Sequence, residues 1–213
     1  MKHTVPFLLL TFPAAAHSEI EWSFYTGIQE APPSDISVRG DGVLPDGDFN
    51  IAWEGLSFKW PLYAGFRITN WQSQTFGWGL DYAHNKTYPI EGELPPGYSA
   101  LEFTDGLNTW TINAYRRWPQ QFGDVTPYVG AGLGLSVPGV EVTYLGRQTF
   151  EYQLTGVAAT WLAGASYPIN DQWSVFGEYK GTYTSNSVSL RDGGTLETDI
   201  FTNAINFGVN YRY

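Results

Sequence analysis
The chain has 213 residues, a net charge of −10, no cysteine, and 17% aromatic against 15% charged residues. Without cysteine there are no disulfides, thiolate metal sites or thiol nucleophiles. The acidic balance argues against a nucleic-acid partner, whose phosphates it would repel. No apolar run approaches the roughly 20 residues of a membrane-spanning helix, which excludes a helical membrane protein but not one built of strands.

Residues 1–18 read as a secretory signal peptide. Lys2 supplies a short positive start, Val5 to Phe12 an apolar core, and Ala14-Ala15-Ala16-His17-Ser18 the small residues of a cleavage region. Residues 19–213 then read as one domain. Ile20, Trp22, Phe24, Thr26 and Ile28 alternate with Glu21, Ser23, Tyr25, Gly27 and Gln29, which gives a first strand with one apolar face. Glu30 to Glu54 is rich in Pro, Gly and Asp and too long for a tight turn, so it reads as a long polar loop. A second strand is expected over Leu56 to Asn70, irregular at Pro61, which has no N–H to give a ladder. A third sets Phe76, Trp78, Leu80 and Tyr82 against Gly77, Gly79, Asp81 and Ala83. A second long loop covers about Tyr88 to Ala100, and a fourth strand runs on to Trp118. Its apolar phase differs between Leu101-Phe103-Leu107 and Trp110-Ile112-Ala114, and a bulge near Asp105-Gly106 would reconcile the two.

The fifth strand contains Gly130-Ala131-Gly132-Leu133-Gly134, which lacks the spacing of a nucleotide-binding loop and any following helix. Small residues inside a narrow barrel account for it better. A third long loop, Pro138 to Thr149, precedes strand six. Pro168 to Gln172 turns tightly into strand seven, and a fourth loop, Thr184 to Thr198, leads to the last strand. There Ile205, Phe207, Val209, Tyr211 and Tyr213 share one face, and Asn206, Gly208, Asn210 and Arg212 the other. This stretch resembles the closing strand of bacterial outer-membrane β-barrels, whose terminal aromatic is the signal for the outer-membrane assembly machinery. The expected fold is all-β, an eight-stranded antiparallel transmembrane β-barrel with four long extracellular loops and three short periplasmic turns. Both termini would be periplasmic, in the outer membrane of a Gram-negative bacterium.

Alternation alone does not say which face is inside. Lys59, Arg67, Asp81, Glu178, Lys180 and Arg212 all lie opposite the aromatics. Facing lipid at mid-depth, each Lys or Arg would cost roughly 2–4 kcal/mol, whereas inside the barrel these groups can pair. The polar face is therefore expected inside as a charge network, and eight strands leave no useful pore. Trp60, Trp71, Trp78, Trp118, Trp173, Tyr179 and Tyr211 suit interfacial girdles.

His84 is the sole histidine after residue 18. Counting from Leu80 and Tyr82 points it outward near the top of the third strand, with Lys86 on the same face. That pair suits glycolipid phosphate or sugar, or plain solvation. Asp41, Asp46 and Asp48 lie among glycines and are hard oxygen ligands of the kind calcium takes, though without EF-hand spacing. Glu102 and Asp105 are candidate acids or ligands beside the second loop.

His84-Asn85-Lys86, Leu101-Glu102-Phe103-Thr104-Asp105-Gly106-Leu107-Asn108 and Thr149-Phe150-Glu151-Tyr152-Gln153-Leu154-Thr155-Gly156 are similar to the outer-membrane lipid A oxidase family, and the similarity covers most of residues 19–213. The resemblance implies oxygen-dependent oxidation of the proximal glucosamine of lipid A to 2-aminogluconate, with outer-leaflet lipopolysaccharide as partner and molecular oxygen as oxidant. It transfers no catalytic residues. A divalent metal held by His84 with Glu102, Asp105 or Glu151 is one arrangement such chemistry would take. Two other readings stay open: a non-enzymatic surface, adhesion or membrane-stabilising barrel, and a lipid A acyl hydrolase, which would need a serine beside His84.

Overall fold
The computed structural model describes residues 19–213 except 41 and 120, with the side chains of Thr104 and Asp192 also left aside. The expected signal peptide and Asp41 lie outside the described residues. In chain order the strands are β1 (Glu19–Glu30), β2 (Ser34–Arg39), β3 (Gly47–Ile51), β4 (Trp53–Glu54), β5 (Ala64–Trp71), β6 (Phe76–Pro89) and β7 (Tyr98–Arg117). They continue as β8 (Thr126–Ser136), β9 (Gly139–Tyr144), β10 (Arg147–Tyr152), β11 (Gly156–Pro168), β12 (Trp173–Ser189) and β13 (Thr195–Arg212).

Eight of these close an antiparallel ring in the order β1, β5, β6, β7, β8, β11, β12, β13, and β13 pairs back onto β1. The seam runs from Trp22 opposite Tyr211 to Ile28 opposite Ile205. Backbone bonds between Ile20 and Tyr213 extend it to the end of the chain. Closure leaves the ring without a free edge from Ala64 downward, so the ladder groups there find partners.

The ring is apolar outside and polar inside. Phe24, Leu80, Ile112, Leu133, Ile205 and Phe207 point out and are exposed, while Ser23, Thr69, Thr111, Asn113, Thr160 and Asn206 point in and are buried. This is the inverse of a water-soluble barrel and suits a wall set in lipid. The outward row on β13 from Phe201 to Val209 is apolar except at Asn203, whose amide oxygen accepts from the Tyr179 hydroxyl. At about 3.3 Å per residue and a tilt near 40°, those nine residues climb roughly 22 Å, close to the ~25 Å apolar band of such barrels.

Above the band the pattern reverses. On β12 the inward row passes from Thr184 and Asn186 to Val188, and on β13 from Thr202 up through Ile200 and Thr198 to Leu196. The outward row becomes Ser185, Ser187 and Ser189 on β12, and Asp199, Glu197 and Thr195 on β13. The β2–β3 hairpin adds to β13, the β9–β10 hairpin adds to β7, and β4 adds to β6. Together they enclose an apolar core that includes Ile36, Val38, Ile51, Trp53, Leu101, Phe103, Val140, Val142, Val188 and Leu196. Four long polar loops were expected here. Much of the first, third and fourth instead pairs as strands, because each carries a short apolar row that needs a second layer to bury it, while residues 90–97 of the second stay outside the strands.

Three further expectations change. The second strand begins at Ala64, since residues 57–60 form a turn ahead of Pro61. The bulge near Asp105-Gly106 exists: the register steps from Asn85 opposite Leu107 to Thr87 opposite Phe103, and Gly106 takes φ +90°. It does not reverse the phase, because Leu101, Phe103, Leu107, Thr109 and Thr111 all point inward. What changes is the interior, from apolar above to polar below. Trp71 is buried rather than interfacial, because it continues the inward row of Arg67 and Thr69.

Candidate functional site
Inside the ring, Arg67 joins two carboxylates. Its Nε donates to Asp81 Oδ2 at 2.9 Å, and its Nη2 and Nη1 donate to the two oxygens of Glu178 at 2.9 and 3.2 Å. Lys180 Nζ donates to Asp81 Oδ1 at 2.6 Å and to the Tyr25 hydroxyl at 2.7 Å. Tyr25 in turn donates to Asp81, Tyr128 to Glu178, and Asn206 to Glu178. Charges at this depth are tolerable only when paired and hydrogen-bonded, and here all four carboxylate oxygens of Asp81 and Glu178 accept from a cation. The inward tyrosines that complete the network were not picked out from the sequence, although the parity of Tyr25 with Ser23 would have placed it inside.

Two of the expected network members lie elsewhere. Arg212 sits at the short-turn mouth, where its Nε is 2.8 Å from Glu21 Oε2 and 3.3 Å from Glu19 Oε1. Arg117 beside it bonds Glu19 and lies 3.9 Å from the Trp71 ring centroid. Lys59 is exposed in the turn before β5, because parity counted back from Arg67 does not survive a turn. Between the mouth and the Arg67 group a cavity of about 20 Å³ remains, room for about one water. The interior is a filled core.

The outward cluster around His84 lies at the top of the lipid-facing band. His84 pairs across to Asn108 in the ladder. Asn108 Nδ2 donates to the Asp105 and Gly106 carbonyls at 3.0 and 3.3 Å, which fixes the amide so that its Oδ1 faces the ring wall. That oxygen accepts from the Tyr82 hydroxyl and meets His84 Nδ1, each at 2.8 Å. An amide oxygen cannot donate, so Nδ1 carries a proton, and in the neutral ring Nε2 then carries the lone pair. Nε2 is buried without a partner. Asp105 acts electrostatically on His84, and the Tyr152 hydroxyl bonds Asp105. Glu102 instead lies in register with Glu141 of β9. Asn108, Tyr82 and Tyr152 were missed in the sequence, because cross-strand register is not readable from one strand at a time.

Lys86 follows His84 by two residues on β6 but is not partly exposed as His84 is. The turn at residues 56–59 covers its side chain, which is fully buried. Its Nζ donates to the carbonyls of Leu56, at 2.9 Å, and Lys59. It lies above the lipid-facing band, where burial and then the neighbouring Lys59 charge push its ammonium down to about 8.

Among the described residues no three histidine or carboxylate groups converge to hold a metal ion. Asp46 accepts from the Gly40 N–H, and Asp48 accepts from Ser37 and pairs with Arg39 at 2.9 Å. Both acids have structural work within the hairpin. At the outer end of β11, β12 and β13 a concavity of about 770 Å³ is lined by Asp35, Glu197, Asp199, Ser185 and Ser187, with Phe201 at its foot.

The family model of the outer membrane protein beta-barrel domain matches residues 5–213. The fold is similar to the outer membrane protein OprG from Pseudomonas aeruginosa, with TM-score 0.54 and 13% identity over 93% of this chain and 97% of that one. It also matches the N-terminal β-barrel domain of Pseudomonas aeruginosa OprF, with TM-score 0.47 and 14% identity over 93% and 99% of the two chains. Neisserial surface protein A matches with TM-score 0.46 and 14% identity over 92% and 97%. At such identities the likeness is one of fold. No curated protein sequence matches the chain.

Proposed function
Because the chain belongs to the outer-membrane protein β-barrel family, we propose that it is a non-enzymatic surface barrel of the Gram-negative outer membrane. Its long end faces the exterior, and both termini and the three short turns face the periplasm. The closing strand ending at Tyr213 engages the assembly machinery, and the outer wall is embedded among lipopolysaccharide. The observation that carries this reading is the apolar core of the outer strand extension, which turns what would be loose loops into a fixed platform. The platform is acidic: residues 30–59, 86–107, 139–155 and 185–199 hold fifteen of the 21 carboxylates but five of the 11 bases. A rigid negative surface above a filled barrel suits adhesion to cationic partners.

The test compares cells carrying the wild type, the Ile36→Asp variant, or no protein. Ile36→Asp breaks the extension core and leaves the ring. Adhesion to a polylysine-coated surface is expected to fall in the variant to the level of cells without the protein, with lipid A masses identical in all three. Equal adhesion would remove the platform role.

Oxidation of lipid A is a second reading, favoured by the unpartnered Nε2 of His84 at the outer-leaflet edge of the wall. One added oxygen on the lipid A proximal sugar, present with the wild type and absent with His84→Ala, would replace the first reading by this one.

A further inference from the structure
Above Ala64 the ring lacks a regular strand between β1 and β6, and residues 55–63 fill the gap. Ser57 Oγ accepts from the Gln29 N–H at 2.8 Å and donates to the Gln29 carbonyl at 3.2 Å. Gln29 Oε1 accepts from the Lys86 N–H at 2.7 Å. The segment is thus riveted to β1 beside Ile28, which is exposed on the lipid-facing wall. Its tip is open, with Phe58 62% and Trp60 81% exposed on either side of exposed Lys59. Leu56 holds φ +40°, a conformation unfavourable for a bulky side chain, and its carbonyl is one of the two that accept from Lys86. Lys59 Nζ and Lys86 Nζ lie 4.9 and 5.0 Å from the centroid of the same Tyr88 ring.

Neither ammonium meets a carboxylate among the described residues. Two like charges are gathered at one place, in contact with carbonyls and a ring face, on an outer end that is otherwise strongly negative. Such a pair is stabilised by an anion. The flanking aromatics indicate where the anion comes from, since Trp and Phe at a belt edge sit at headgroup level.

We propose that the Phe58-Lys59-Trp60 tip is a seat for the phosphate of an outer-leaflet glycolipid. Lys59 meets the phosphate directly, Lys86 holds the turn from behind and adds its charge, and Phe58 and Trp60 rest on the first acyl carbons. The proposal rests on the outward orientation of the long end given above, and not on whether the protein has an activity.

The full chain is reconstituted in phosphatidylcholine nanodiscs doped with a bisphosphorylated glucosamine lipid or its dephosphorylated form, and lipid retained after dilution into undoped discs is measured. Wild type is expected to retain the phosphorylated lipid selectively. Lys59→Glu, at an exposed site, is expected to keep the folded gel mobility and lose retention about tenfold. Phe58→Ala with Trp60→Ala is expected to weaken both lipids alike. Equal retention of the two lipids by wild type, or unchanged selectivity in Lys59→Glu, would overturn the proposal. Full displacement by millimolar inorganic phosphate would also overturn it, in favour of a soluble anion. Cell adhesion and cellular lipid A composition play no part in this readout, so its failure is separate from theirs.

Discussion

Asp81 receives Arg67, Lys180 and Tyr25 at once in the middle of the barrel. Removing its charge strands two buried cations with one carboxylate between them. Asp81→Asn is expected to cost roughly 3–5 kcal/mol, measured by urea unfolding in detergent micelles. Adding Lys180→Met should return part of that loss, since the two changes share one interaction. A wild-type midpoint in Asp81→Asn would mean the network holds nothing. Lys86 gives a pH signature of the opposite kind. Its folded ammonium titrates near 8, below the ordinary lysine range, so between about 8 and about 10.4 the unfolded chain binds more protons than the folded one. Stability from this group therefore rises with pH across that window, and the penalty of burying the charge is fully present below it. Unfolding midpoints across this range should climb in the wild type relative to Lys86→Met, and parallel curves would refute the assignment. Single side chains were legible in the sequence where parity is unbroken, as for Arg67, Asp81, Glu178 and Lys180. Parity failed for Lys59, which a turn separates from the regular row, and it could not show that the same turn covers Lys86.

At the level of elements, β7 carries two unlike jobs on one continuous strand. Leu101→Ala removes a fully buried side chain from the outer core and is expected to cost about 2–5 kcal/mol locally. Hydrogen exchange should speed up in β2, β3, β9 and β10 while the ring amides and the heat-dependent gel shift stay unchanged. Loss of the ring as well would show that the two layers fold as one unit. Gly106 sits at φ +90° in the bulge, and an added Cβ would collide with the His84 ring. Gly106→Ala should cost about 1–2 kcal/mol for the backbone and shift the His84 imidazole resonances in NMR spectra. The ring strands were readable because their apolar positions recur every second residue over a long run, as from Ile205 to Tyr213. The hairpins of the extension were not. Ile36 with Val38 and Val140 with Val142 are rows of two, set among Pro, Gly and Asp, and nothing in one row names the layer it packs on.

For the molecule as a whole, the filled interior predicts that purified protein in planar bilayers gives no stepwise conductance. Discrete channel openings would contradict the packing around Arg67. Depth in the membrane follows from the reversal on β12 and β13, where inward Asn186 gives way to Val188 and outward Phe201 to Asp199. Each strand thus carries a waterline on both of its surfaces at nearly one height. Sinking by two residues would immerse Asp199, and rising would lift Phe201 out of the acyl chains. A bilayer whose thickness differs from the apolar belt must therefore dimple or swell around this barrel, because the barrel has no second depth at which to float.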